Sequence, residues 1–289
     1  MLFGWYIVGY LFLAGAGSGA FLLSASSCMV DAYQRTDESE NMVSSTQAGF
    51  FVAPCMVALA ALLLMFDLGG IDRAWRVMLN PFQSLVSIGA WLIALFLLAS
   101  GLLTAVALVK DEVPKNILWP GCILGSLLAI GVMVYAGMLL ASMVSIDFWR
   151  TPWLVVLFVA SAISTGAAAI TLLDVFALPA SMSFSHDLRA FSTTTSAFEA
   201  VALTAFMISR WFFSPVARAS AIMLLSGELA PAFWIGVVGF GLAIPLAIRI
   251  VGQIMPQRTS MLIFGASVLA GGLMLRYCII AAAQYTPYV

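Results

Sequence analysis

The sequence predicts an all-α polytopic membrane protein, and three observations lead to this class. Of its 289 residues, 63% are hydrophobic and only 9% are charged. The mean hydropathy is +1.08, far above that of a soluble globular domain. Eight apolar stretches follow one another along the sequence. Each is close to the roughly 20 residues with which a helix crosses a hydrocarbon core of about 30 Å.

The eight predicted spans are joined by short connections that leave no room for an inserted soluble domain. They cover residues 5–29, 46–66, 85–109, 117–144, 152–174, 190–212, 229–250 and 260–283. The N-terminal stretch has no positive residue before its apolar run and no clear cleavage site after it, so we expect a retained first helix. An even number of spans puts both termini on one side of the membrane, which we name face A.

Within this single integral membrane domain, the protein divides into two halves of four spans, residues 1–144 and 145–289. LFLAGAGSGA at Leu11–Ala20 and LFVASAISTG at Leu157–Gly166 are identical at five positions, although a chance match of common membrane residues is the alternative. We therefore predict two four-helix bundles. Lys and Arg divide equally between the loops of the two faces, so the positive-inside rule does not orient the protein.

Composition also excludes several classes of site. The net charge of −1 provides no basic field for nucleic acid. The four cysteines occur singly inside apolar runs, which argues against an iron–sulfur cluster, a zinc site or a disulfide framework in this protein. The one histidine, His186, falls in a predicted loop between the fifth and sixth spans. Haem bound across helices needs axial ligands inside spans, so we expect no haem and no bound metal.

Small residues dominate the first span, where Ala14–Ala20 contains only Ala, Gly and Ser. Gly15 and Gly19 form a GxxxG pattern, which lets another backbone approach closely. Helix packing is one interpretation of this run, which also includes Ser18. The other is that the missing side chains leave a slot for a flat ring, and the sequence does not separate the two.

The fourth span contains a tyrosine at an unusual depth. Residues 117–144 have no charged side chain, and Tyr135 lies nine residues before their end. That distance corresponds to about 13 Å at helical rise, whereas tyrosines usually lie at the headgroup level. A buried hydroxyl without a partner costs a few kcal/mol, so either a neighbouring helix or a ligand is expected to bind it.

Topology predicts which charged residues share a side of the membrane with Tyr135. Asp67 ends the second span and Arg276 lies late in the eighth, so both are expected toward face A. A charge at membrane depth costs about 3 kcal/mol, so Arg276 is expected to face the interior with a partner, and Asp67 is a candidate. Glu199 in the sixth span is expected toward the other face, either in a proton path or as a buried neutral acid.

The loop after Asp67 contains Arg73, Trp75 and Arg76 in an amphipathic segment. A tryptophan among charged residues is typical of a solvated loop anchored at the membrane interface. The alternative is a docking surface for another subunit.

Five segments resemble the NrfD/PsrC family of polysulfide reductase-like membrane subunits, and they occur in the order found in that family. They are YLFLAGAGSGAF (Tyr10–Phe21), the DLG loop beginning at Asp67 with the following SIGAWLIALF (Ser87–Phe96), YAGMLLA (Tyr135–Ala141), Trp149 and Pro152 before SAISTGAA (Ser161–Ala168), and GGLMLRYCIIAAAQ (Gly271–Gln284).

This resemblance implies a subunit of the bacterial or archaeal cytoplasmic membrane that binds menaquinol or ubiquinol. It also implies a ferredoxin-like iron–sulfur partner and a catalytic subunit, with molybdopterin expected there, that acts on the terminal substrate in anaerobic respiration. In the family, a tyrosine on the fourth helix contributes to the quinone site, and Tyr135 matches it. Some members also use a histidine on the first helix, which this sequence lacks.

We therefore expect a quinone site near face A that includes Tyr135, Gly15, Ser18 and Arg276. Asp67 is the first choice as the proton acceptor, because quinol oxidation releases two protons with two electrons. Two alternatives remain. A secondary transporter also has sparse buried charges and broken helices, which Pro231 and Pro245 could mark in the seventh span. A scaffold subunit without a working quinone site is the other.

Overall fold

The structure is a computed structural model, and the residues that it describes form helices and no strand. These residues are 4–34, 45–67, 79, 84–109, 115–177, 184–251 and 255–283. The first four predicted spans each correspond to one long helix. These helices are α1 (Trp5–Gln34), α2 (Ser45–Asp67), α3 (Leu85–Val109) and α4 (Lys115–Ala141).

The described part of the second half combines three long helices with three shorter elements. They are α5 (Pro152–Ala177), α6 (Phe184–Phe213), α7 (Pro215–Ser226), a π-helix (Ala232–Ala243), α8 (Ile244–Val251) and α9 (Gln257–Ala282). Helix α6 begins earlier than predicted, so the backbone of His186 lies in its first turn and not in a loop.

Seven helices in the described part of the protein are long and apolar enough to cross a membrane: α1 to α6 and α9. The protein is therefore a multi-pass membrane protein. The predicted seventh span, residues 229–250, is not among these seven, because its apolar helix, Ala232–Ile248, is shorter than the other spans. The predicted count of eight spans is thus not confirmed, and the same holds for the two four-helix bundles.

The π-helix lies between the two prolines of this segment. Pro231 directly precedes it, and Pro245 is the second residue of α8. At its end, the backbone N–H of Ile244 donates to the carbonyl of Gly239, five residues earlier. Proline has no N–H to donate to the preceding turn, so Pro245 removes one bond of a regular α-helical ladder. π-helical geometry is rare and occurs frequently at functional sites.

Helices α1 and α5 form the centre of the molecule. In the apolar window of each span, the buried share is 72% for α1 and 78% for α5, against 28% for both α2 and α3. A Cβ built on Gly19 would overlap the backbone of Ala162, and one built on Gly166 would overlap the backbone of α1 at Gly19 and Ala20. Glycine at these positions therefore allows the two central helices to meet backbone to backbone.

The remaining helices surround this central pair. Helix α1 contacts α2 and α4, and α3 contacts the same two helices, so the first half closes a ring of four. In the second half, α5 contacts α6 and α9, and the π-helix contacts α6 and α9. Helix α5 also contacts α4 and α2, which joins the halves.

Candidate functional site

Tyr135 is buried in α4, with 5% of its side chain exposed. It lies six residues before the helix end at Ala141, or about 9 Å at helical rise, because α4 ends earlier than predicted. Gly89 of α3 packs directly against its phenol, since a Cβ built there would overlap the phenol carbon and hydroxyl. Gly89 belongs to the SIGAW segment, so two of the segments noted in the sequence meet at this tyrosine.

A second tyrosine lies beside the first. Tyr10 of α1 is 1% exposed, and its phenol interacts with that of Tyr135. Tyr10 Oη is buried, and in the described part of the protein it forms no hydrogen bond that meets ordinary geometric criteria, although the two phenols interact. Tyr10 was not selected from the sequence, because it lies only five residues into α1, about 8 Å deep.

Arg276 of α9 is fully buried, at 1% exposure, and all its partners lie inside the protein. Its Nε donates to the carbonyl of Leu11 at 3.2 Å. Its Nη1 donates to Ser161 Oγ at 3.0 Å and to the carbonyl of Gly272 at 2.8 Å. The expectation that Arg276 faces the interior is therefore confirmed.

The acidic partner of Arg276 is Glu199 and not Asp67. Glu199 of α6 is 8% exposed, interacts electrostatically with Arg276 and lies next to the hydroxyls of Ser161 and Ser164. Glu199 and Arg276 were expected toward opposite faces, but both lie far enough from the helix ends for their long side chains to interact across α5.

Asp67 is exposed at the end of α2. Its neighbour Phe66 packs against Tyr6 of α1, with ring centroids 6.3 Å apart. Tyr6 is one helical turn before Tyr10, so Asp67 lies at the same end of the molecule as the tyrosine pair. The expected docking residues Arg73, Trp75 and Arg76 lie outside the described residues.

The small residues of α1 are occupied by packing. A Cβ on Gly15 would come within 2.8 Å of Arg276 Nη2, so the guanidinium fills the space that a side chain would take. Ser18 Oγ donates to the carbonyls of Ala14 at 2.6 Å and Gly15 at 3.0 Å, within its own helix. Gly15 and Ser18 thus lie beside the buried arginine, and the structure shows no open slot at either residue.

An ordered loop joins α4 to α5 next to these groups. Trp149 Nε1 donates to the carbonyl of Ile279 in α9 at 3.0 Å. Arg210 Nη1 donates to the carbonyls of Asp147 at 2.9 Å and Arg150 at 3.0 Å, and it anchors the loop to α6. This role of Arg210 was not predicted from the sequence, because a contact between a loop and a distant helix is a tertiary contact.

No group of three or more His, Cys, Asp or Glu side chains in the described part of the protein is arranged to hold a metal ion. The polar groups instead form a tyrosine pair and a buried arginine–glutamate cluster on two sides of α1. The protein therefore has the features of a polytopic helical membrane protein with a buried polar site between its central helices.

Comparisons with known proteins identify the family. The family described as polysulphide reductase, NrfD matches residues 1–288. A polysulfide reductase subunit of Wolinella succinogenes is 30% identical over 300 residues, covering 97% of this sequence and 93% of that protein. The NrfD homolog of Haemophilus influenzae is 27% identical over 303 residues, covering 96% of this sequence and 92% of that protein. NrfD of Escherichia coli is 27% identical over 312 residues, covering 99% and 96%.

The protein belongs to the NrfD polysulphide reductase family of membrane subunits of respiratory oxidoreductases. The resemblance stated from the five sequence segments is thereby confirmed.

Proposed function

We propose that this protein is the quinone-reactive membrane subunit of a respiratory oxidoreductase complex. It binds menaquinol or ubiquinol and exchanges electrons with a ferredoxin-like iron–sulfur subunit. That subunit in turn serves a catalytic subunit, with molybdopterin expected there, which acts on the terminal substrate. The complex belongs to a bacterial or archaeal cytoplasmic membrane, and both termini of this subunit lie on face A.

The observation that carries the proposal is the phenol of Tyr135, buried about 9 Å inside an otherwise apolar helix end, next to a second buried phenol. Such hydroxyls are costly in a membrane unless they bind a partner. Within the described residues, Tyr10 Oη forms no hydrogen bond of ordinary geometry, which supports a ligand oxygen beside the pair. When bound, a quinol supplies two electrons and two protons.

Each residue of the site has a proposed role. Tyr135 holds one ligand oxygen through its hydroxyl. Asp67, exposed at the end of α2 near the same end of α1, accepts a proton and releases it at face A. Glu199 offers a second proton-transfer group deeper in the protein.

Gly15, Ser18 and Arg276 complete the proposed site from the other side of α1. Arg276 binds the carbonyl of Leu11, the residue that follows Tyr10, and Gly15 leaves room for its guanidinium. These residues are proposed to position α1, and thereby the tyrosine pair. Arg73, Trp75 and Arg76 are proposed to contact the iron–sulfur subunit.

The test uses the assembled complex with Tyr135→Phe and Asp67→Asn. Each change is expected to slow quinol oxidation at least about tenfold, because each removes a group that contacts the ligand or its proton. Tyr6→Phe and Glu228→Gln are the matched controls, since both residues are exposed. Turnover near that of the unmodified complex in both test variants would contradict the assignment of the site.

A further inference from the structure

Helix α2 contains an interior proline, and a side chain of another helix binds the carbonyl that this proline leaves without its helical donor. Pro54 lies within α2, which continues to Asp67. In a regular α-helix, the carbonyl of Phe50 accepts from the backbone N–H four residues later, but proline has no N–H. The hydroxyl of Thr104 in α3 donates to this carbonyl at 2.7 Å. Serine and threonine side chains of neighbouring helices are one means by which membrane helices tolerate proline.

The bond between Thr104 and Phe50 lies inside the protein core. Thr104 is 9% exposed and Phe50 is 5% exposed. The Thr104 hydroxyl also lies 2.8 Å from the carbonyl of Ser100, one turn earlier in its own helix. A hydroxyl has one hydrogen to donate, and the Ser100 carbonyl is already the regular acceptor of the Thr104 backbone N–H. Loss of the hydroxyl would therefore leave the Phe50 carbonyl, and not that of Ser100, as an unsatisfied buried acceptor.

The part of α2 beyond Pro54 leads to the proposed proton acceptor. Asp67 lies 13 residues after Pro54, or about 20 Å at helical rise. An interior proline bends a helix. A change in this bend of about 10°, half the angle of a sharp kink, would displace Asp67 by roughly 3 Å. Such a displacement equals the length of a hydrogen bond, so the bend of α2 determines whether the carboxylate reaches the proton that it accepts.

Contacts on both sides of Pro54 hold α2 in place. Beyond the proline, α2 packs closely against α1, where a Cβ built on Gly9 would come within 2.8 Å of Leu63 Cδ1. Before the proline, the bond from Thr104 to Phe50 attaches α2 to α3. Two attachments on opposite sides of a flexible point fix the angle between the two parts of the helix.

We infer that Thr104 is a positioning residue of the site, whose bond to the Phe50 carbonyl fixes the bend of α2 at Pro54 and thereby the place of Asp67. This inference rests on the proposed function, in which Asp67 accepts a proton from the quinol. Phe50 lies 17 residues before Asp67, about 25 Å along the helix, so Thr104 acts through the backbone of α2 and not on the ligand.

The first experiment tests the bond between the helices. In the assembled complex, Thr104→Val removes the hydroxyl at nearly constant volume. It is expected to lower the melting temperature by about 5 °C, because a buried acceptor is left unsatisfied. Pro54→Ala restores the missing N–H, so Thr104→Val is expected to have little further effect in that background. Ser100→Ala is the matched control, since the Ser100 hydroxyl donates to the carbonyl of Phe96 in its own helix at 2.7 Å.

A distance measurement follows the bend itself. Nitroxide labels are attached at Leu62→Cys in α2 and Leu102→Cys in α3, both exposed positions, and pulsed EPR measures their separation. The exposed Cys55 is removed by Cys55→Ser, and the other three cysteines are buried. Thr104→Val is expected to shift the mean distance by about 2 Å, because Leu62 lies about 12 Å beyond Pro54. Thr104→Ser keeps the hydroxyl and is expected to restore the original distance.

Kinetics provides a readout that a purely structural role would not change. Thr104→Val is expected to lower kcat for quinol oxidation about tenfold, because a small displacement of a reacting group has a large effect on rate. The KM for the quinol is expected to change little, since the groups that bind the ring are not altered. Thr104→Ser is expected to restore kcat, and Ser100→Ala is expected to leave it unchanged.

The outcomes separate this inference from the proposed function. If Asp67→Asn slows turnover but Thr104→Val changes neither the label distance nor kcat, the role of Thr104 is overturned and the proposed function stands. If Thr104→Val shifts the distance while both variants keep normal turnover, Asp67 is not the proton acceptor and the inference is overturned with it.

Two further results would also overturn the inference. A lower melting temperature for Thr104→Val with an unchanged label distance and kcat would show a purely structural residue. An equal loss of melting temperature with and without Pro54→Ala would show that the Thr104 hydroxyl does not serve the carbonyl freed by the proline.

Discussion

The arginine–glutamate cluster shows what a single buried charge requires in this protein. Arg276 donates to the carbonyls of Leu11 and Gly272 and to Ser161 Oγ, so it connects three helices. Glu199 supplies the opposite charge from a fourth helix. Removing one partner of a buried charge pair costs about 3–5 kcal/mol, mostly because the other charge is left uncompensated.

We therefore predict that Arg276→Gln lowers the free energy of unfolding in detergent by about 3 kcal/mol. Glu199→Gln is expected to cost a similar amount, because it leaves the buried charge of Arg276 uncompensated. The double variant, with both Arg276→Gln and Glu199→Gln, is expected to lose less stability than the sum of the two single effects, because no uncompensated charge remains. The measurement is a denaturant titration of the purified protein.

Arg150→Gln provides the control, because the side chain of Arg150 is exposed and its replacement is expected to change stability by no more than about 0.5 kcal/mol. Strictly additive effects of Arg276→Gln and Glu199→Gln would mean that the two side chains do not stabilise each other, contrary to this prediction.

At this scale the sequence predicted which residues are unusual but not their partners. The depth of Tyr135 and the charge of Arg276 are visible in the sequence, and both side chains are buried as expected. The predicted pairing of Arg276 with Asp67 was wrong, because depth along a helix says nothing about rotation around its axis. Tyr10 was missed since, at the start of a span, a tyrosine is ordinary until its burial is known.

At the scale of helices, the crossing of α1 and α5 depends on Gly19 of α1 and Gly166 of α5. The GxxxG pattern predicted a close approach, but only the structure shows that α5 is the helix involved. Its small residues Ala162 and Gly166 meet Gly19 and Ala20 within the segments that repeat between the two halves. Van der Waals packing of small residues is a main source of helix association in lipid, so this crossing should be sensitive to one methyl group.

Gly19→Ala is accordingly predicted to destabilise the protein by about 1–3 kcal/mol, because the new Cβ overlaps the backbone of Ala162. Gly101→Ala in α3 is the matched control. A Cβ there would have no atom of the described residues within 4 Å, so we expect equal or slightly higher stability. Thermal unfolding of both variants in the same detergent measures the difference. Equal melting temperatures would show that the crossing tolerates a wider separation.

The long helices were predicted well because their signal is local. Hydropathy alone gave the bounds of α2 and α3 to within a residue or two. It did not predict the π-helix, which has the same apolar composition as an α-helix and differs only in its hydrogen bonding. The two prolines that flank it were recognised as signs of an irregular helix, but a proline indicates where a ladder is interrupted and not the geometry adopted beside it.

The whole molecule raises the question of how often the protein crosses the membrane. The π-helix and α8 together comprise residues 232–251, and a fully α-helical segment of that length would extend about 30 Å. The π-helix is more compact per residue, so this segment is shorter than the other spans. Contacts of the π-helix and α8 with both α6 and α9 nevertheless place it between two helices that do span.

We predict that this segment also crosses the membrane, which brings the number of crossings to eight. Both termini then lie on face A, and we expect the iron–sulfur subunit on the same face. The tyrosine pair lies about 8–9 Å from the helix ends on that face, so electrons from a quinol at the proposed site would have the shortest distance to travel there. Reporter fusions near the N-terminus and near the C-terminus show on which side of the membrane each lies. Protease protection in sealed vesicles shows the side of the iron–sulfur subunit. Termini on opposite sides would mean seven crossings. A partner on the side opposite to the N-terminus would separate it from Tyr10 and Tyr135 by most of the bilayer and contradict electron transfer from this site.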